Sequence, residues 1–246
     1  MFILRFTTKG LAKMQIRKDE FKSLDELIQQ KLALVIDKSK VTLYEDDEIF
    51  ISNMQNNNLA GDDINRYRYW EWPQGVSLFG FWKLFEFTKD KRFLDIITQF
   101  YEQQFRIGLP SKNINTTAPM LTMACLYEYT KNNKYKEVCM EWAEWLVSNL
   151  PKTREEGFQH LTSDTLNDNE LWVDTLFMTV LFLAKIGMVI GCTEWVEEAK
   201  YQFLLHSKYL TDRKSGLWYH GWTFNGDHNF TEVLWGRGNC WITIAI

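Results

Sequence analysis

Leu84-Phe85-Glu86-Phe87-Thr88-Lys89-Asp90-Lys91-Arg92-Phe93 returns as Leu126-Tyr127-Glu128-Tyr129-Thr130-Lys131-Asn132-Asn133-Lys134-Tyr135, an offset of 42 residues. In each copy an apolar stretch enters a short polar turn and a second stretch follows. The first copy reads as a helix from Pro73 to Thr88, a turn at Lys89-Asp90 and a helix to Phe105. The second reads as a helix from about Thr117 to Thr130, a turn at Asn132-Asn133 and a helix to about Ser148. A diverged third copy runs from Trp172 to Ile186, turns through Gly187 to Cys192 and continues from Glu194 to His206. A fourth starts at Trp235. Periods of this size with two helices per unit predict stacked helical hairpins.

Within each unit the first helix is the more apolar. Leu176-Phe177-Met178-Thr179-Val180-Leu181-Phe182-Leu183 contrasts with Glu194-Trp195-Val196-Glu197-Glu198-Ala199-Lys200. A helix apolar all round is buried and a one-sided helix faces solvent. The pattern predicts inner and outer layers of helices, an all-α toroid of helical hairpins or an α-solenoid. No Gly/Ser or Pro linker divides it, so residues 1–246 are expected to form one domain. Another helix is expected at Phe21–Ile36.

Composition narrows the partners. The chain is 46% hydrophobic, has only 4 Pro and 13 Gly, and carries 11 Trp. That aromatic supply suits a groove that stacks on flat or sugar-like ligands, although helix packing also consumes indoles. The net charge is −4 with no basic cluster, which argues against nucleic acid. Cys125, Cys139, Cys192 and Cys240 lack CxxC spacing, so neither a metal site nor a disulfide framework is expected. No cofactor motif stands out. The N-terminus lacks a signal-peptide core and no run of about 18 apolar residues appears, so no membrane association is expected and the cytoplasm is the default location.

The loops before the inner helices recur at one phase of the repeat and should gather at one rim. They contain Trp70, Glu71 and Trp72; Asn113 and Asn115; His160; and His220, Trp235 and Arg237. A structural repeat needs no such chemistry at its loops. The acid that stands out is Asp174, which begins a long apolar run. An ionised carboxylate there is costly unless paired, hydrated or used. It reads either as a helix cap or as a proton donor whose pKa burial raises. Asp164, Asp168 and Glu170 read as a solvated loop. His206 and His228 read as structural or solvated. Trp70, Trp72, Trp235 and Trp241 either stack on sugar rings or pack between inner helices.

Trp70-Glu71-Trp72-Pro73-Gln74-Gly75, Asn115-Thr116-Thr117-Ala118-Pro119-Met120, Trp172-Val173-Asp174-Thr175-Leu176-Phe177-Met178, Tyr219-His220-Gly221-Trp222 and Trp235-Gly236-Arg237-Gly238-Asn239-Cys240-Trp241 together resemble glycoside hydrolase family 105, related to family 88. The resemblance covers about residues 65–246. It implies an (α/α)6 barrel and hydrolysis of lyase-generated oligosaccharides, such as those from pectin or rhamnogalacturonan, that end in a 4,5-unsaturated uronic acid. The implied reaction is hydration of the vinyl ether. Asp174 protonates C4 and water adds at C5. Trp70, Trp72, Asn115, His160, His220, Trp235, Arg237 and Trp241 are the implied substrate-binding residues. Many members carry a second acid in the loop that here offers Asn115. About four inner-helix starts precede Ile246, so the barrel is expected to lack its C-terminal helix pairs. A saturated-sugar enzyme on an α/α barrel and a non-catalytic helical scaffold remain the alternatives.

Overall fold

A computed structural model describes residues 24–44, 48–56 and 64–246. The chain divides into two compact units between Val41 and Thr42. Helix α1 (Leu24–Tyr44) crosses that division, and the first unit's described residues all belong to it. In the second unit, α2 (Glu48–Asn56) and α3 (Ile64–Tyr67) precede the hairpins. Three hairpins follow: α4 (Trp72–Thr88) with α5 (Lys91–Ile107), α6 (Ile114–Thr130) with α7 (Asn133–Ser148), and α8 (Leu181–Ile190) with α9 (Thr193–Leu210). Helix α10 (Gly236–Ala245) opens a fourth unit.

The first two turns are built alike because their sequences are alike. Thr88 and Thr130 each donate a hydroxyl to the carbonyl four residues back, at 2.7 Å. Lys89 and Lys131 then take the left-handed conformation, φ 60° and 58°. Asp90 and Asn132 cap the next helix by accepting from the amides of Arg92 and Lys134, both at 3.0 Å. The third hairpin turns later than its sequence suggests. Gly187 is helical and packs against Val196 and Trp195, while Gly191, at φ 78°, ends α8. Only one glycine adopts a positive φ there, and it is the second.

Helix α6 is the centre of this unit. Every residue from Thr116 to Leu126 is buried, and α4 and α8 pack on either side of it. The outer helices bury one face each: Phe93, Ile97, Phe100 and Gln104 on α5, and Tyr135, Cys139, Trp142 and Leu146 on α7. Each large apolar side chain among them contributes about 1.5–3 kcal/mol by leaving water. At the other end of the series, an open apolar groove lies between α8, α9 and the end of α10, with Met188 and Leu204 exposed. Among the described residues no helix is long and apolar enough to cross a membrane.

Two local features depart from the all-helical expectation. Trp172 does not open the third inner helix. It ends a short strand, β1 (Glu170–Trp172), that pairs antiparallel with β2 (Gly221–Thr223). Three residues are too few to leave a period-2 signature. Helical structure begins at Asp174 and passes through a π turn at Leu176–Val180 before α8. The second inner helix starts three residues earlier than expected: α6, with Pro119 inside it, begins at Ile114 because Asn113 and Thr116 form a capping box.

Candidate active site

The short ladder brings two distant segments to one place. Trp172 pairs with Gly221, and the Val173 amide donates to the His220 carbonyl at 2.9 Å. Gly221 has no room for a side chain, because a Cβ there would lie 2.2 Å from the Phe230 ring. Asn239 fixes the start of α10 from the other side. Its amide accepts from the Trp218 N–H at 2.9 Å and donates to the Trp218 carbonyl at 3.0 Å. Asp174, His220 and Trp241 therefore meet although 46 and 67 residues separate the acid from its partners.

Asp174 Oδ2 lies 3.0 Å from His220 Nε2, and Asp174 Oδ1 accepts from the Trp241 indole N–H at 3.1 Å. The carboxylate is held by side chains of other elements and does not cap its own helix. Its side chain is 15% exposed and that of His220 is 21% exposed, so a small ligand can reach both. The expectation that burial would raise this acid is corrected. Burial does push it up, but the His220 hydrogen bond, the nearby imidazoles His160 and His220, and the Trp241 N–H outweigh it. The carboxyl lies below its usual range and is ionised in the free protein.

Around the acid stand rings and one cation. Trp172 lies parallel to the His160 ring at 4.9 Å and presses on His220 at 4.8 Å. Trp235 covers His220 at 4.7 Å, and Trp241 contacts Trp72 and Phe177. The Arg237 guanidinium sits 4.0 Å from the Trp235 ring centre and 5.2 Å from that of Trp72. It is exposed and forms no ion pair with a described carboxylate. A guanidinium held against two indoles and left without an acid is suited to an anionic ligand.

The structure thus gathers Asp174, His160, His220, Trp72, Trp235, Arg237 and Trp241. It does not bring Trp70 among them. That indole is wholly buried, donates to the Thr116 carbonyl at 2.8 Å and packs on Phe100, Tyr101 and Trp142, so it belongs to the core. Asn115 is half-buried in the first turn of α6. Trp172 was not singled out as a site residue, although its position two residues before Asp174 gave a signal. Glu170 accepts from the Trp172 indole N–H and is half-buried, unlike Asp164 and Asp168, which are exposed as a solvated loop requires.

Among the buried groups outside the Asp174 hydrogen bonds, two histidines and one glutamate shift within the acid-to-neutral range. Burial pushes His160 and His206 down to about 4 and Glu71 up to about 7. Glu71 accepts from the Ser163 hydroxyl at 3.0 Å and from the Trp72 amide at 3.2 Å. The two histidines stabilise the fold fully above about pH 6.5, and that contribution is lost as pH falls towards 4, by about 3 kcal/mol each. Glu71 acts oppositely: its contribution is present below about pH 4.5 and lost as pH rises through 7. From pH 4.5 to 6.5 the two histidines outweigh the one glutamate, on the order of 1 kcal/mol per pH unit. Denaturant unfolding at stepped pH should therefore show stability climbing over that range and levelling or falling beyond it.

Comparison with known proteins identifies the fold first, an α/α toroid. An α-1,6-mannanase from Salegentibacter sp. HEL1_6 shares the fold, with a TM-score of 0.63 at 17% identity over 87% of this chain and 62% of that one. The chain belongs to Glycosyl Hydrolase Family 88, whose sequence profile matches residues 47–246. A Salmonella enterica serovar Paratyphi A structure described as a "possible member of GH105 family" is 40% identical, with a TM-score of 0.78 over 92% of this chain and 58% of that one. The unsaturated rhamnogalacturonyl hydrolase YesR of Bacillus subtilis (strain 168) is 28% identical over 179 residues, 72% of this chain and 52% of that protein. This chain spans little more than half the length of these proteins.

Proposed function

We propose that the site releases a 4,5-unsaturated uronic acid from lyase-generated oligosaccharides by hydrating its vinyl ether. The observation that carries this reading is one acid, Asp174, linked through Trp241 and Trp72 to a guanidinium that lies against two indoles and pairs with no described carboxylate. Glu71, a buried acid among the described residues, is turned to Ser163 and to its own helix start. An ordinary glycosidase needs two carboxylates at the scissile bond. Hydration of an enol ether needs one proton donor and one water.

In this mechanism Arg237 binds the uronate carboxylate and Trp72 and Trp235 flank the ring. The ligand's own negative charge opposes ionisation of Asp174, which takes up a proton as substrate binds. The ring-oxygen lone pair drives the C4–C5 double bond onto that proton, leaving the cation at C5. Water adds at C5 and returns a proton to Asp174. The hemiketal opens, and the hemiacetal left at C1 collapses to release the next sugar. His220 and Trp241 hold the carboxylate throughout. YesR, by its name, acts on unsaturated rhamnogalacturonyl substrates, which favours rhamnose as the next sugar here.

Arg237→Leu should raise KM for an unsaturated disaccharide by about 10–100-fold, the worth of a charge-assisted hydrogen bond, with a much smaller change in kcat. Arg237→Lys should recover only part, since an ammonium cannot reproduce the two-pronged contact. Steady-state kinetics followed by loss of the conjugated double bond's absorbance reads both parameters. An unchanged KM in Arg237→Leu would remove the guanidinium from the site.

A further inference from the structure

We infer that Glu170 is a positioning residue for the two imidazoles of the site, acting through the Trp172 indole that it anchors. Glu170 Oε2 accepts from the Trp172 indole N–H at 2.8 Å. That ring touches both imidazoles, face to face with His160 and edge-on to His220. The Glu170 backbone adds a second hold, since its carbonyl accepts from the His160 amide at 3.3 Å. Phe230 closes the far side of the indole at 5.4 Å, above the glycine that pairs with Trp172. Without the Glu170 anchor, only ring contacts with His160, His220 and Phe230 hold the indole's two side-chain torsions. His220, which donates to the Asp174 carboxylate, would shift with it.

The inference rests on the proposed reaction for its kinetic consequence but not for its structural one, and the test separates the two. Glu170→Leu removes the acceptor. Glu170→Gln keeps a carbonyl oxygen in its place. Trp172→Phe keeps a ring but removes the N–H. Nitrogen NMR of the histidine side chains reads the position of His220 without any substrate. Glu170→Leu should move the His220 side-chain nitrogen chemical shifts away from their wild-type values, a change in its hydrogen bonding and packing. It should also lower kcat on the unsaturated disaccharide about 5–10-fold with little change in KM, the signature of lost positioning. Glu170→Gln should restore both, and Trp172→Phe should reproduce the displacement even if Glu170→Leu fails to fold. In the Trp172→Phe background, Glu170→Leu should add nothing further. Wild-type His220 nitrogen shifts in Glu170→Leu or Trp172→Phe would overturn the inference, as would a Glu170→Gln variant as impaired as Glu170→Leu. If the protein shows no activity on the disaccharide, the proposed reaction fails while the NMR result still decides the role of Glu170.

Discussion

Asp174→Asn is expected to lower kcat on a lyase-generated unsaturated disaccharide by about 10³-fold or more, with the fold intact. The size follows from the site's chemistry. Asparagine keeps the shape and one acceptor oxygen, so the Trp241 indole can still donate. It cannot carry the proton that C4 must receive, nor take one from the attacking water. No second carboxylate joins the Asp174 hydrogen bonds to replace it, since those bonds come from His220 and Trp241. Glu71→Gln is the matched control. It removes a buried acid but preserves an acceptor for the Ser163 hydroxyl, and should leave kcat within about threefold. The pH profile provides a second check. Because Asp174 is held ionised in the free protein, its acid form becomes scarcer as pH rises. kcat/KM should therefore decline towards alkaline pH, and the residual activity of Asp174→Asn should not follow that decline.

Gly75→Ala is expected to destabilise the protein by about 3 kcal/mol or more, a fall in Tm on the order of 10 °C for a chain of this size. The backbone of α4 approaches α6 so closely at Gly75 that an added Cβ would lie 2.6 Å from the Ala118 carbonyl carbon and Cβ and 2.8 Å from the Pro119 nitrogen. These are backbone and near-backbone atoms within the buried stretch Thr116–Leu126 of α6, so nothing flexible can yield. Glycine normally weakens a helix relative to alanine, and its presence here is explained by that close approach. Gly80, five residues along the same helix, has nothing within 4 Å. Gly80→Ala should be neutral or stabilising by up to about 1 kcal/mol. Differential scanning calorimetry of the two variants side by side gives opposite signs if the helix contact is described correctly.

The repeat made the hairpin layering legible, because a threonine back-bond, a left-handed lysine and an Asx cap recur 42 residues apart in sequence and in structure. The third hairpin was less legible. Two glycines four residues apart each offered a turn, and only the packing of α9 on Gly187 decides between them. Asp174, His220, Arg237, Trp235 and Trp241 were found from the rim pattern and the family resemblance. Trp70 and Trp72 carry the same local signal, two tryptophans flanking one glutamate. The structure separates them, sending Trp70 to the core and Trp72 to the mouth, because the chain turns into α4 between them. The ionisation of Asp174 was misread because burial is the only influence a sequence displays. The opposing hydrogen bonds come from residues far along the chain. Glu170 was grouped with exposed acids for the same reason: its indole partner is two residues away on a strand too short to recognise.

The central claim is that water adds across the C4–C5 double bond and not at the anomeric carbon. An unsaturated uronyl disaccharide joined through sulfur tests it most directly, because a thioglycoside resists direct attack at C1 but keeps the vinyl ether. The account predicts that the purified protein removes the double-bond absorbance of this substrate and releases the thiol sugar, at a rate comparable to the oxygen-linked disaccharide, and that Asp174→Asn does neither. Cleavage of the oxygen-linked disaccharide with the thio-linked one left intact would contradict it.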